Sequence, residues 1–175
     1  MTKTFYILTI LILLIGCGQM DNKQKEKKHS FEKIIFHTTG CFGTCPTYHL
    51  QLDSNKQIKL FAETVYKDDK DFPFEKDTVK TGYFNGVADD STFTLLDTEI
   101  KNIGLDTLEF DGVSCCDGSL VTIIVYYDGK RKFLKSMFPP DRARKLIGIL
   151  YDICEKSILT RTTQKFEIEN EKASR

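Results

Sequence analysis

Two cysteines, a glycine, a proline and two aromatic residues fall within eight positions, Cys41-Phe42-Gly43-Thr44-Cys45-Pro46-Thr47-Tyr48. A helix cannot pass through this run. Pro46 lacks an N–H and drives Cys45 towards extended backbone, while Gly43 tolerates a tight bend. Such a bend brings the Cα atoms of Cys41 and Cys45 within the roughly 4.4–6.8 Å that a disulfide spans. The segment that follows, Tyr48-His49-Leu50-Gln51-Leu52, alternates like a half-buried strand, with His49 on the polar face. The run therefore reads as a thiol-redox loop or as a disulfide-closed turn that aims the strand. The turn is the better reading, because reactive thiol pairs sit in C-x-x-C at a helix N-terminus. Here the spacing differs and no helix follows.

Residues 1–16 form an expected lipoprotein signal peptide and are set aside from the fold. Lys3 supplies a positive start, and Phe5 to Ile15 is an apolar run interrupted by Thr9. That run is too short for a typical membrane-spanning helix of about 20 residues. Leu14-Ile15-Gly16-Cys17 resembles the bacterial lipobox. The resemblance implies cleavage before Cys17 and lipidation of its thiol and new amino group, which holds a chain firmly to a membrane. Gly18 and Gln19 follow, without the Asp that marks retention elsewhere, which resembles lipoproteins sorted to an outer membrane. Residues 17–30 read as the lipidated cysteine and a charged tether. Asp21 to His29 offers no apolar side chain to bury, and its lysines can touch anionic head groups.

One domain is expected over residues 31–160, with a polar tail over 161–175 that frays apart from Phe166-Glu167-Ile168. Lys33 to Thr38, Thr47 to Asp53 and Gln57 to Tyr66 read as strands, with a turn at Ser54-Asn55. Val79 to Asn85 reads as a fourth strand with a bulge or kink at Gly82. Asp89-Asp90-Ser91 offers helix N-caps, Phe93, Leu96, Ile100 and Ile103 share a helical face, and Gly104 caps the far end. Leu120 to Tyr127 is apolar throughout and reads as a strand covered on both faces. Asp128-Gly129 signals a hairpin back through Lys130 to Ser136. Pro139-Pro140 opens a second helix whose apolar face is Ala143, Leu146, Ile147, Leu150, Cys154 and Ile158. The order β-β-β-β-α-β-β-α predicts an α+β domain: a mostly antiparallel sheet of about six strands with two helices on one face.

The composition and motifs exclude several classes of function. Lys and Arg total 25, Asp and Glu total 25, and a net charge of zero gives no electrostatic basis for nucleic-acid binding. No G-x-S-x-G, H-E-x-x-H, P-loop or G-x-G-x-x-G occurs, so no catalytic residue is assigned and no cofactor is implied. The aspartates at 68, 69 and 71 lack the spacing of a calcium loop. Setting aside Cys17, five cysteines remain, an odd number. Cys154 falls on the apolar helix face as a buried thiol. Cys41, Cys45, Cys115 and Cys116 are candidate disulfide residues with three possible connectivities. A tetrahedral zinc site from these four, with His37 or His49, fits common ligand spacings poorly, so no metal is assigned. His37 lies close enough in sequence to the cysteine loop to act as a base on a thiol.

The Cys41–Tyr48 run, Lys80-Thr81-Gly82-Tyr83-Phe84-Asn85-Gly86 and Pro139-Pro140 together resemble a family of uncharacterised bacterial lipoproteins that share a domain of unknown function. The resemblance covers roughly Phe31 to Ile158 and implies no activity. It implies that Cys41 and Cys45 belong to the shared pattern and pair with each other, with Cys115-Cys116 peculiar to this chain. The expectation is a membrane-anchored lipoprotein of the bacterial envelope, not an enzyme, that binds an envelope protein or another extracytoplasmic ligand. Phe72 and Phe74, in the charged Lys67–Asp77 loop, form the candidate partner surface. The alternative is a thiol-redox lipoprotein using Cys41/Cys45 or Cys115/Cys116.

Overall fold

The computed structural model describes residues 30–72 and 74–170. The expected signal peptide, Cys17 and the tether up to His29 lie outside the described residues. Among the described residues, seven strands form one antiparallel sheet: β1 (Lys33–Thr38), β2 (Thr47–Asp53), β3 (Gln57–Thr64), β4 (Gly82–Val87), β5 (Val121–Tyr127), β6 (Lys130–Ser136) and β7 (Thr160–Thr162). Their spatial order is β6-β5-β1-β2-β3-β4-β7. Two helices, α1 (Asp90–Ile103) and α2 (Arg144–Lys156), pack on one face. This is the α+β arrangement expected, with one strand more.

Local chemistry accounts for most element boundaries. Asp89 caps α1, its carboxylate accepting from the Thr92 N–H at 2.9 Å, and Gly104 ends the helix in the left-handed region at φ 70°. Asp128 and Gly129 both take positive φ, 48° and 70°, the geometry of a hairpin turn whose twist matches the strands it joins. Strand β4 begins three residues later than expected. The Asp77 side chain accepts from the N–H groups of Val79 and Lys80 at 3.0 and 3.2 Å and holds residues 77–80 in a turn. Gly82 therefore opens the strand, and the register shift lies instead between Thr47 and Tyr48 in the β2–β3 pair. Pro140 starts a short 3-10 turn, Asp141–Ala143, before α2 proper. Helix α2 ends at Lys156, because Ser157 turns to extended backbone. Ile158, expected on the apolar face of this helix, is consequently 98% exposed.

The core lies between the helices and one sheet face. Phe36, Leu50, Leu52, Leu60, Ile123 and Val125 meet Phe93, Leu96, Ile100, Leu146, Leu150 and Ile153 there. Burial of such side chains contributes about 1.5–3 kcal/mol each. Ile35 and Ile124 point to the other face, yet both are fully buried. That face carries a cover the sequence did not announce. The tail, expected to fray from Arg161, instead pairs as β7 with β4, and Glu169 bonds to side chains of β1, β5 and β6. Arg161 also donates to the carbonyls of Thr78, Val79 and Thr81.

The strand registers sort the loops into two ends. Thr38 pairs with Val121, Val121 with Ser136, Thr47 with Thr64 and Ala62 with Gly82. The 39–46, 65–81 and 111–120 loops and Met137-Phe138 thus share one end of the sheet. The chain enters at the other end, where the Glu32 N–H donates to the Tyr126 carbonyl at 2.7 Å. Ser30 is fixed there too, its N–H and hydroxyl each donating to the Asp97 carboxylate at 2.7 Å.

Candidate functional site

The cysteine run is a closed turn. Cys41 and Cys45 are joined by a disulfide across a Cα separation of 5.5 Å. Thr38 secures its base: the hydroxyl donates to the Pro46 carbonyl and accepts from the Tyr48 N–H, both at 2.9 Å. The turn holds Phe42 90% exposed at its tip. A large apolar side chain fixed in water by a covalent clamp loses little further freedom on binding.

Phe72 and Phe74 lie at the same end of the sheet and are exposed as well. The loop that carries them is a clasped excursion. Tyr66 bridges Lys76, the Lys67 N–H donates to the Glu75 carbonyl at 2.8 Å, and the Lys67 and Glu75 side chains pair. Phe138, after β6, is the fourth exposed aromatic at this end.

The second cysteine pair stands beside the first. The Phe42 N–H donates to the Asp117 carbonyl at 3.0 Å, which ties the two loops together. Cys115 and Cys116 are free and exposed, with their Sγ atoms 2.7 Å apart. Their hydrogen bond pushes the Cys115 thiol up from its ordinary value. Cys154 is buried, and burial pushes its thiol well up, as its place on the apolar face of α2 foretells. The disulfide consumes two of the four thiols that a zinc site of this kind would need.

His37 and His49 form the group that sequence reasoning missed. They are directly opposed on β1 and β2, with Nδ1 atoms 2.8 Å apart. His37 Nε2 lies 2.6 Å from the Glu169 carbonyl, and His49 Nε2 lies 3.1 Å from the Glu63 carboxylate. Donor counting orders this chain. His37 donates through Nε2 to the Glu169 carbonyl, which in a neutral ring leaves its Nδ1 as an acceptor facing His49. Burial holds His37 below its ordinary value, outweighing the upward pull of its bond to Glu169. Burial pushes Glu169 up, but hydrogen bonds from Tyr126, Lys33 and Arg131 together outweigh it and hold the carboxyl below its ordinary range. His49 stacks on Phe61 and Phe61 on Tyr83, with ring centroids 5.5 and 4.4 Å apart. Together with Phe166 they line a cleft of about 560 Å³ under the tail. The alternation rule did mark His49 as off the core face, but it assumed that this face was bare.

A family model, the domain of unknown function DUF6438, matches residues 32–150. The chain belongs to this family. The DUF6438 region includes the disulfide turn, both histidines and the Cys115-Cys116 loop, and it stops short of β7 and Glu169. No curated protein matches the chain.

Proposed function

We propose that this DUF6438 chain is a bacterial envelope lipoprotein, anchored through Cys17, whose domain binds a partner protein and catalyses no reaction. One observation carries the reading: Phe42, Phe72 and Phe74 are exposed on clamped loops at the sheet end opposite to where the chain enters. An anchor ahead of Ser30 then leaves the aromatic end free to meet another molecule. The tether over residues 18–30 reaches at most ~45 Å, enough to clear the head groups. The Cys41–Cys45 disulfide suits an oxidising compartment. Exposed aromatics on preorganised loops are the usual anchors of protein interfaces.

The test is photo-crosslinking in intact cells, with a photoreactive residue at position 42 or 74 and a control at Asn55, on the opposite end. A discrete envelope adduct from 42 and 74, absent from 55, with the adduct from 42 lost in Phe72→Ala/Phe74→Ala, supports the surface. Adducts from 55 alone, or none from 42 and 74, overturn it. Labelling with palmitate that persists in Cys17→Ser would separately defeat the anchor.

The thiol-redox alternative rests on the exposed, adjacent thiols of Cys115 and Cys116. It requires that a dithiol oxidant close them and that mild reductant reopen them. A pair that stays reduced under oxidant rejects it.

A further inference from the structure

The loop from Asp111 to Leu120 brings three sulfur atoms together. Cys115 and Cys116 are exposed, and their Sγ atoms lie 2.7 Å apart. The third sulfur comes from the residue just after β6: Met137 Sδ accepts from the Cys115 N–H at 2.9 Å. A thioether 2.9 Å from a cysteine's own nitrogen lies within one side chain's reach of that cysteine's thiol. The three residues line a shallow, open depression with Thr39, Gly40 and Ser114.

The frame around these sulfurs is fixed. The Met137 N–H donates to the Val113 carbonyl at 2.9 Å. The Ser119 hydroxyl donates to the Thr39 carbonyl at 2.6 Å, and the Leu120 N–H donates to Thr39 Oγ1 at 3.0 Å. Cys116 takes φ 64°, a left-handed turn that places its thiol beside its neighbour's. Asp111 Oδ1 accepts from both the Ser136 hydroxyl and the Val113 N–H.

We propose that Cys115, Cys116 and Met137 form a binding site for a soft monovalent metal ion, Cu(I). Two thiolates and a thioether are the donor set that selects Cu(I) over the harder divalent ions. The ion takes the place of the shared thiol hydrogen. Both thiol protons leave to solvent, the sulfurs move apart to bracket the metal, and the site ends with a net charge of −1. No electron is transferred. Exposure lets the ion arrive from, and pass to, another carrier. The site is independent of the aromatic partner surface, and either can fail alone.

The full chain purified in detergent, with Cys17→Ser in every sample, is titrated anaerobically with Cu(I) against bicinchoninate. Alkylation and intact mass first establish the state of Cys115 and Cys116. The expected result is one Cu(I) retained per chain. Cys115→Ser/Cys116→Ser should abolish retention, and Met137→Leu should weaken it about tenfold or more, equivalent to ~1.4 kcal/mol. Cys41→Ser/Cys45→Ser, which removes the neighbouring disulfide, should leave retention intact. Thermal melts confirm that each variant is folded. The proposal fails if the wild type retains no Cu(I), if the Cys115/Cys116 variant retains as much, or if Met137→Leu binds like wild type. A permanent Cys115–Cys116 disulfide in the purified protein overturns it too.

Discussion

His37 and His49 face one another across the β1–β2 pair at 2.8 Å, and between them they carry a hydrogen-bond chain from the tail to the edge of β3. Protonating His37 would add an Nδ1–H pointing into this short contact. Glu63 on β3 and Glu169 on the tail lie nearest, and Lys135 on β6 lines the same cleft.

Stability should therefore fall as the solution is acidified. His37 has its folded pKa below the unfolded value, so the unfolded chain binds more protons at mildly acid pH. The stability from a neutral His37 is fully present above about pH 6.5 and declines as pH falls below that towards the folded pKa. Urea midpoints for wild type should drop between pH 7.5 and pH 5.5. In His37→Gln that drop should be smaller. A wild-type midpoint that does not move, or an undiminished drop in the variant, would show that His37 is not the responsible group.

Glu169 should hold the tail to the sheet. Its carboxylate accepts from Tyr126 at 2.6 Å, Arg131 at 3.0 Å and Lys33 at 3.1 Å. Glu169→Gln keeps the shape but removes the charge that Lys33 and Arg131 face. The expected cost is ~1.5–3 kcal/mol, the range for hydrogen bonds to a charged group. Amide exchange should accelerate in β7 and in residues 166–170 and stay unchanged in β2. Uniform acceleration across the domain would contradict a local strap.

Gly86 should resist any side chain. A Cβ there would stand 2.5 Å from Leu159 Cδ2 and 3.2 Å from the Ile158 carbonyl oxygen. The chain leaving α2 crosses strand β4 at this point, so an added methyl has to displace it. Gly86→Ala should cost ~1–3 kcal/mol, as overpacking does. A lowered melting temperature and weaker protection at Thr160–Thr162 would follow. A melt unchanged from wild type would mean that the crossing is loose.

The readable parts of the fold were those with local chemistry. Strands β2 and β6 matched their expected limits, because Thr47–Asp53 alternates cleanly and Lys130–Ser136 follows an Asp-Gly turn. Asp89 and Gly104 bounded α1 as their side-chain chemistry requires. The Cys41–Cys45 link came from the family resemblance and from spacing, and the structure contains it. Strand β4 was misplaced because the Asp77 turn carries no apolar pattern. Ile158 was misassigned because helical spacing continues on paper past the point where the backbone leaves the helix.

Local sequence set strands β1 to β6, with β4 three residues out at its start, and both helices, since these depend on neighbours within a few residues. It also supplied the disulfide turn and the aromatic loops. The place of β1 between β5 and β2, and the closing of the second face by the polar tail, emerge from the assembled fold. The same holds for the opposition of His37 and His49 and for the meeting of Met137 with Cys115. These contacts join residues 12 to more than 130 positions apart. Their partners are set by strand order and loop crossing, and no local propensity encodes either.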